Sequence, residues 1–346
     1  MRVSINARNR TFSFDAQPTQ RILYAGLADG VRLPYECGSG TCGTCRARLL
    51  SGQVVDAWPN APGKRYLRHP DECLMCQSLP QGDCALEVSS FVYPMEPGEC
   101  TPAFSRGVIR NPRSLTPDVI GFDVELDRPC EFDAGQFMVI QVPGIYGYRG
   151  YSMTNFERGA RTLRFVVKNK PGGGVSNWLF AGSVEGANVE LYGPLGRASF
   201  DPKLTKDLVL IGGGSGIAGL LSILARACQE RYFERHDGHV FFGVRSLGDA
   251  FCLDELAARR RQSGDRLSIT VALSEGEVTD DATRSHPDFV FETGLVHDVA
   301  RRRMQGRLRN ARAYVAGPPP AVDAAIRMLL LDAKLTADSI RYDKFS

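Results

Sequence analysis

Three cysteines fall close together in the stretch "PYECGSGTCGTCRA" (34–47), at the spacing Cys37-x4-Cys42-x2-Cys45, with only glycine, serine and threonine between them. Such a loop could form a disulfide, hold a zinc ion or carry an iron–sulfur cluster. Zinc sites more often pair two C-x2-C knuckles or recruit histidine; this loop has one C-x2-C and no histidine beside it. C-x4-C-x2-C with a distant fourth cysteine is a [2Fe–2S] spacing. The small residues suit that chemistry, because the chain must wrap the cluster and aim backbone N–H groups at its sulfurs. Gly38, Gly40 and Gly43 permit the positive φ and close approach this needs, and the N–H···S bonds set the reduction potential. The fourth ligand has to come from "DECLMCQSLP", which holds both Cys73 and Cys76. A zinc or redox-thiol loop is the competing reading.

The rest of the 346-residue chain narrows the choice. The N-terminus "MRVSINARNRTFSFDA" has no apolar core or small-residue cleavage site, so it is not a signal peptide. No run of about 18 apolar residues predicts a membrane span. The expectation is a cytoplasmic protein, where structural disulfides are rare and ten cysteines point to metal. Cys84, Cys100, Cys130, Cys228 and Cys252 are scattered and read as small buried hydrophobes. A net charge of +3 singles out no partner. The runs Arg259–Arg261 and Arg301–Arg303 read as solvated helix faces and not as a nucleic-acid patch. His69, His236, His239, His286 and His297 are too dispersed to form a site.

The elements around the cysteine loop begin with alternation at Val3, Ile5 and Thr11–Phe14, which predicts a hairpin. "PTQRILYAGLADG" predicts a short helix, and Leu49–Val55 and Ala85–Val88 predict strands. Together with the loop, these elements resemble the β-grasp fold of plant-type ferredoxins over residues 1–95. "LMCQ" resembles the L-x-C-Q ending of that family, so the resemblance assigns the cluster to Cys37, Cys42, Cys45 and Cys76 and leaves Cys73 out. "MEPGECTPAF" reads as a linker.

From residue 104 to 203 the pattern is short strands with turns between them, as in an antiparallel barrel. Within it, Arg149-x-Tyr151-Ser152 resembles the R-x-Y-S motif of the ferredoxin–NADP reductase superfamily. That resemblance implies FAD, with Arg149 on the pyrophosphate, Tyr151 against the isoalloxazine and Ser152 near its reactive nitrogen. It also implies that Met153, Val167 and Lys168 line the cofactor. Gly173, Gly174 and Ser176 in "PGGGVSNWL" form a glycine turn into a helix, an arrangement able to bind phosphate; the resemblance gives it the flavin pyrophosphate. "LYGPLGRASF" is similar to the family's barrel-closing G-P-x-G turn.

Residues 204–346 alternate strand and helix, which argues for a Rossmann-like parallel sheet. "LVLIGGGSGIAGLL" reads as strand, glycine loop, helix, a phosphate-cradling order. It is similar to the superfamily's nucleotide loop, which implies nucleotide contacts at Gly213, Gly214, Ser215 and Gly216. "AGPPP" resembles the C-G-P-P motif beside the nicotinamide, with Ala316 at the cysteine position and Gly317 and Pro318 as contacts. Gly219 stands where many relatives carry proline. The ending "YDKFS" is similar to E-x-F, so Phe345 would cover the flavin and Asp343 replaces the glutamate; with Ser152 these are the expected catalytic residues. Arg245 and Ser246 could meet a 2′-phosphate, but Asp249 follows, and with the resemblance this favours NADH.

The order of parts is cluster, flavin, nucleotide. A hydride carries two electrons and the cluster accepts one at a time, so the flavin must stand between them. The multidomain α+β and α/β organisation resembles the reductase components of bacterial multicomponent oxygenases, closest to those of soluble diiron monooxygenases of the toluene and methane type. That implies a protein that passes electrons from NADH to a Rieske ferredoxin or to the oxygenase hydroxylase; a monomer is the default expectation. The same electron chain serving a deoxysugar-forming dehydratase is an alternative, and a redox-sensing or zinc-binding module without turnover is another.

Overall fold

The computed structural model describes residues 1–308 and 310–345, arranged around three main sheets. In the first, Arg2–Asn6 pairs antiparallel with Thr11–Asp15, as the alternation predicts, and parallel with Cys84–Glu87. The sheet continues through Arg46–Ser51 to Glu72–Leu74. The helix Ile22–Ala28 buries Ile22, Leu23, Tyr24 and Leu27. The single strand expected at Leu49–Val55 is two. Arg46–Ser51 stays in the sheet, whereas Val54–Asp56 leaves it to pair with Ser78–Pro80. Gly52 explains the break: its φ is +82°, and a Cβ there would overlap the Asp83 carbonyl oxygen, so only glycine turns the chain at this point.

The middle segment forms a six-stranded antiparallel sheet. Its order is Arg149–Ser152, Phe137–Gln141, Asn188–Leu195, Ala103–Thr116, Val119–Cys130, Ala160–Lys168. The two edges meet where Met153 bridges Phe165 and the Thr154 N–H donates to the Arg164 carbonyl at 2.9 Å. The sheet therefore curls into the expected barrel and exposes little free edge.

The last segment is a parallel sheet. Its order is Val290–Thr293, Leu267–Leu273, Gly238–Val244, Asp207–Gly213, Ala311–Gly317, Ile340–Lys344. The chain winds one way from Asp207–Gly213 and then returns to its other side at Ala311–Gly317. The carboxyl ends of these two strands mark the switch point, where open α/β sheets bind ligands. The first and last strands of this order were not read from the sequence. The basic runs lie on the helices Leu253–Ser263 and Val296–Arg303 and pair with acids, as in Arg261–Asp288 (2.7 Å) and Arg301–Asp298 (2.8 Å). Among the described residues no helix is long and apolar enough to cross a membrane.

The three parts share their cores. Ile22 and Tyr24 of the first part pack in one cluster with Phe137, Val139, Tyr148, Tyr192 and Leu195 of the barrel. The rest of the barrel core runs on into one face of the parallel sheet.

Candidate functional site

In the cysteine loop, Gly38, Gly40 and Gly43 all have positive φ, at 63°, 90° and 77°. These turns direct the N–H groups of Ser39 and Thr41 at the Cys37 sulfur, each at 3.4 Å, and the Thr44 N–H at the Cys42 sulfur at 3.5 Å. The thiols fall into two pairs. Cys37 is hydrogen-bonded to Cys42, and Cys45 lies 3.1 Å from Cys76, S to S. The Gln77 amide donates to Cys76 at 3.5 Å. Among the described residues, no three His, Cys, Asp or Glu side chains converge as around one ion, and none of the ten cysteines is disulfide-bonded. Two thiol pairs with N–H groups aimed at sulfur form a donor set for two irons and fit a [2Fe–2S] cluster better than a single zinc. Cys73 lies in the strand Glu72–Leu74 opposite Ala47, outside this group. Cys84, Cys130 and Cys228 are buried as expected; Cys100 and Cys252 are only half-buried.

The loop is held against the barrel. The Tyr24 hydroxyl donates to the Gly38 carbonyl at 2.8 Å, and the Tyr192 hydroxyl donates to the Tyr24 carbonyl at 2.7 Å. The two rings stack 4.1 Å apart. Burial pushes the Tyr24 phenol well above its ordinary pKa, so it remains a donor. The Tyr35 hydroxyl accepts from the Gly196 N–H at 3.0 Å.

One pocket draws on all three parts. Cys37, Ser39 and Thr41 of the cysteine loop, Phe137, Gly150 and Ser152 of the barrel, and Asp343–Phe345 of the chain end line it. The Ser152 hydroxyl lies 3.5 Å from Asp343 Oδ2. Burial, and then the nearby Glu36 carboxylate, push the Asp343 carboxyl up to about 7. The Phe345 N–H donates to the Gly317 carbonyl at 3.0 Å, which ties the chain end to the nucleotide sheet. Gly219 faces Ser152 from the helix Ile217–Gln229, and a Cβ there would meet Ser152 Cβ at an ordinary 3.4 Å. A larger hollow between Asn6–Arg8 and Arg46–Arg48 of the first sheet holds none of the motif residues outside the cysteine domain.

The remaining residues expected at the flavin are placed as follows. Arg149 is half-buried, donates to the Tyr148 carbonyl at 2.9 Å, and has no carboxylate partner among the described residues. A cation held this way suits a phosphate pair. Tyr151 packs on the barrel core. The Met153 and Val167 side chains are inside that core, which leaves their backbone for any ligand, and the Lys168 ammonium is paired with Asp118 at 3.0 Å. Gly173 caps the helix Gly174–Phe180 without a side-chain bond. The Ser176 hydroxyl accepts from the Lys170 N–H at 3.1 Å and so closes the turn.

At the switch point the glycine loop and the "AGPP" loop nearly touch. A Cβ on Gly216 would overlap the Ala316 carbonyl, and one on Gly317 would meet the Gly213 oxygen at 2.9 Å. The crevice thus has backbone on both lips, as close approach to a pyrophosphate requires. Arg245 and Ser246 are already occupied. Asp249 accepts from Arg245 at 2.9 Å, from the Ser246 N–H at 3.0 Å and from the Ser246 hydroxyl at 2.8 Å. A 2′-phosphate would have to displace this carboxylate.

Several residues here were not singled out by sequence reasoning: Tyr24, Tyr35, Tyr192 and Phe137. Each acts across a domain boundary, a role that the quoted segments holding Tyr24, Tyr35 and Tyr192 do not signal by themselves.

Comparison with known proteins gives the same three-part division. Residues 5–81 match the model of the 2Fe-2S iron-sulfur cluster binding domain, residues 107–200 that of the oxidoreductase FAD-binding domain, and residues 210–327 that of the oxidoreductase NAD-binding domain. The chain is 32% identical over 335 residues to the ferredoxin–NAD(+) reductase component of the alkene monooxygenase system of Xanthobacter autotrophicus, covering 96% of this chain and 98% of that one. It is 32% identical over 325 residues to the reductase component of the phenol 2-monooxygenase of a Pseudomonas species, covering 91% and 87%. Among solved structures, the ferredoxin reductase in carbazole 1,9a-dioxygenase superposes with a TM-score of 0.82 at 29% identity, over 100% of this chain and 99% of that one. With this identity along nearly the whole length, and all three domain models in the same order, the chain belongs to the family of ferredoxin–NAD(P)+ reductase components of multicomponent oxygenases, oxidoreductases that use FAD, a [2Fe–2S] cluster and NADH.

Proposed function

We propose that the chain oxidises NADH and delivers its two electrons, one at a time, to a Rieske ferredoxin or directly to the hydroxylase of a multicomponent oxygenase, acting as a cytoplasmic monomer. The observation that carries this reading is the shared pocket. One wall is Cys37, a proposed cluster ligand; the others are Ser152 of the flavin motif and Asp343 and Phe345 of the chain end. When bound there, FAD supplies the exchange between hydride and single electrons.

The protein's own contribution is placement. Gly213–Gly216 and Gly317–Pro318 offer backbone to the nucleotide, and Asp249 holds Arg245 and Ser246 away from a 2′-phosphate, which favours NADH. Phe345 lines the shared pocket and is tied to Gly317, which supports a role in covering the flavin. Ser152 and Asp343 form a hydrogen-bonding pair beside it that can hold or release a proton near neutral pH. Tyr24 and Tyr192 set the cysteine loop against the barrel, so Cys37 reaches the pocket wall.

Electrons leave on the opposite side of the loop. There the Tyr66 ring, 43% exposed, lies against Gly43. Arg46 donates to its carbonyl and Arg65 to its hydroxyl, each at 2.8 Å. Arg46 also faces Glu72 at 3.5 Å, so the cation offered to a partner is Arg65, and the acceptor should present an acidic surface. Rigid tyrosine and arginine side chains of this kind dominate interface energetics.

Anaerobic titration with NADH, followed by visible absorbance and electron paramagnetic resonance, tests the reading. Flavin bleaching together with a reduced [2Fe–2S] signal is expected. Bleaching without that signal would refute the ligand set or the transfer, and a response to NADPH alone would refute the nucleotide preference. Light scattering tests the monomer.

A further inference from the structure

Besides the cysteine loop, which meets Gly150 and Ser152 at the shared pocket, the cysteine-bearing domain reaches Arg149 through the Trp58 side chain. Trp58 is half-buried, and its backbone N–H donates to Asp56 Oδ1 at 2.9 Å. Its indole lies on Gly147, where a Cβ would come within 2.6 Å of the ring. Over the ring sits the Arg149 guanidinium, with Cζ 4.2 Å from the ring centroid. Arg149 has no carboxylate partner among the described residues. A half-buried cation without a counter-charge needs compensation. An aromatic face supplies part of it; one edge N–H donates to the Tyr148 carbonyl at 2.9 Å, and the others are left for another partner. A guanidinium can stack on an aromatic face and still grip a phosphate through its edge.

We propose that Trp58 is a positioning residue for FAD: its indole fixes the plane of the Arg149 guanidinium so that the free edge meets the flavin pyrophosphate, and the cluster domain thereby completes the FAD site of the barrel. The inference rests on Arg149 being the pyrophosphate ligand. It makes FAD affinity depend on the seating of the cluster domain, and by reciprocity bound FAD strengthens that seating. The glycine at 147 fits both its φ of +77° and this contact, since any side chain there would displace the indole from beneath the cation.

The test follows FAD release from the full-length holoenzyme, by dilution and recovery of free-flavin fluorescence, with cluster absorbance read in the same samples. Trp58→Leu keeps an apolar contact on Gly147 but removes the aromatic face, Trp58→Phe keeps a face, and Arg149→Gln removes the cation. The inference requires Trp58→Leu to raise the FAD dissociation constant about tenfold and Trp58→Phe to recover most of that loss. It further requires Trp58→Leu to add nothing once Arg149→Gln is present, the signature of one residue acting through another. Additive losses in the double variant, or equal losses with Leu and Phe, make Trp58 a packing residue and overturn the inference. Retention of FAD by Trp58→Leu with loss in Arg149→Gln overturns it while the reading of Arg149 stands. Retention by both overturns that reading as well. Where Trp58→Leu loses its cluster, Trp58→Met, apolar and without an aromatic face, carries the same comparisons.

Discussion

Gly216 and Gly213 belong to the same loop, yet the structure requires opposite outcomes when each gains a methyl group. A Cβ on Gly216 would overlap the Ala316 carbonyl and come within 2.7 Å of Gly317 Cα. These are backbone atoms of a central strand and cannot rotate away. Carbon and carbonyl oxygen settle at about 3.3 Å or more, so the two loops must part by about 1 Å. Overpacking of this kind costs about 1–3 kcal/mol, and each kcal/mol lowers a melting temperature by about 4 °C in a domain of this size. The parted segments are the two lips of the crevice proposed to take the nucleotide, and a misplacement of about 1 Å can reduce turnover up to ~100-fold. Gly213 differs: its φ is −103°, and an added Cβ would meet Pro318 Cδ at 3.5 Å and Ala321 Cβ at 3.6 Å, both ordinary contacts. Thermal melting and steady-state reduction of ferricyanide by NADH separate the two. Gly216→Ala should melt several degrees lower and lose at least about tenfold in kcat/KM, whereas Gly213→Ala should melt with the parent protein. A raised KM for NADH at unchanged melting temperature in Gly213→Ala would place the nucleotide against that residue. Equal melting temperatures for the two variants would refute the steric reasoning.

Four further outcomes follow from the same geometry. Cys76→Ser should abolish the reduced-cluster resonance signal and Cys73→Ser should keep it, because only Cys76 lies within reach of Cys45; a signal lost in both variants would reopen the ligand assignment. Tyr24→Phe leaves the Gly38 carbonyl without its donor, a loss of about 1–3 kcal/mol, and should lower the melting temperature and shift the cluster's resonance line shape; an unchanged spectrum would show that the hydrogen bond does not hold the loop. Asp249→Asn frees Arg245 and Ser246, so the ratio of kcat/KM for NADPH over NADH should rise about tenfold, the worth of one hydrogen bond to a charged group; no rise would mean the ribose binds elsewhere. Arg65→Glu should slow reduction of the physiological acceptor and flatten its salt dependence while ferricyanide reduction stays constant; equal loss of both activities would remove Tyr66 and Arg65 from the docking face.

What the sequence disclosed, and what it hid, follows from the reach of each interaction. The cysteine loop was legible because its glycines act on the residues beside them: Gly38, Gly40 and Gly43 take positive φ, and the N–H groups they turn inward belong to Ser39, Thr41 and Thr44. The nucleotide loop was legible for the same reason, strand and helix being joined by a few glycines. The strand Ile340–Lys344 was not, since its mixed sequence IRYDK suits a sheet edge and lacks the apolar run of a central strand. The residues that fasten the domains together were the least visible. Tyr24 and Tyr192 stand 168 positions apart and Trp58 and Arg149 stand 91 apart, so no local pattern connects them. Their side chains nonetheless join the cysteine domain to the barrel, at the loop through Tyr24 and Tyr192 and at Arg149 through Trp58. A motif search recovers the residues expected at each cofactor, but the aromatic contacts that join the domains appear only when the chain is folded.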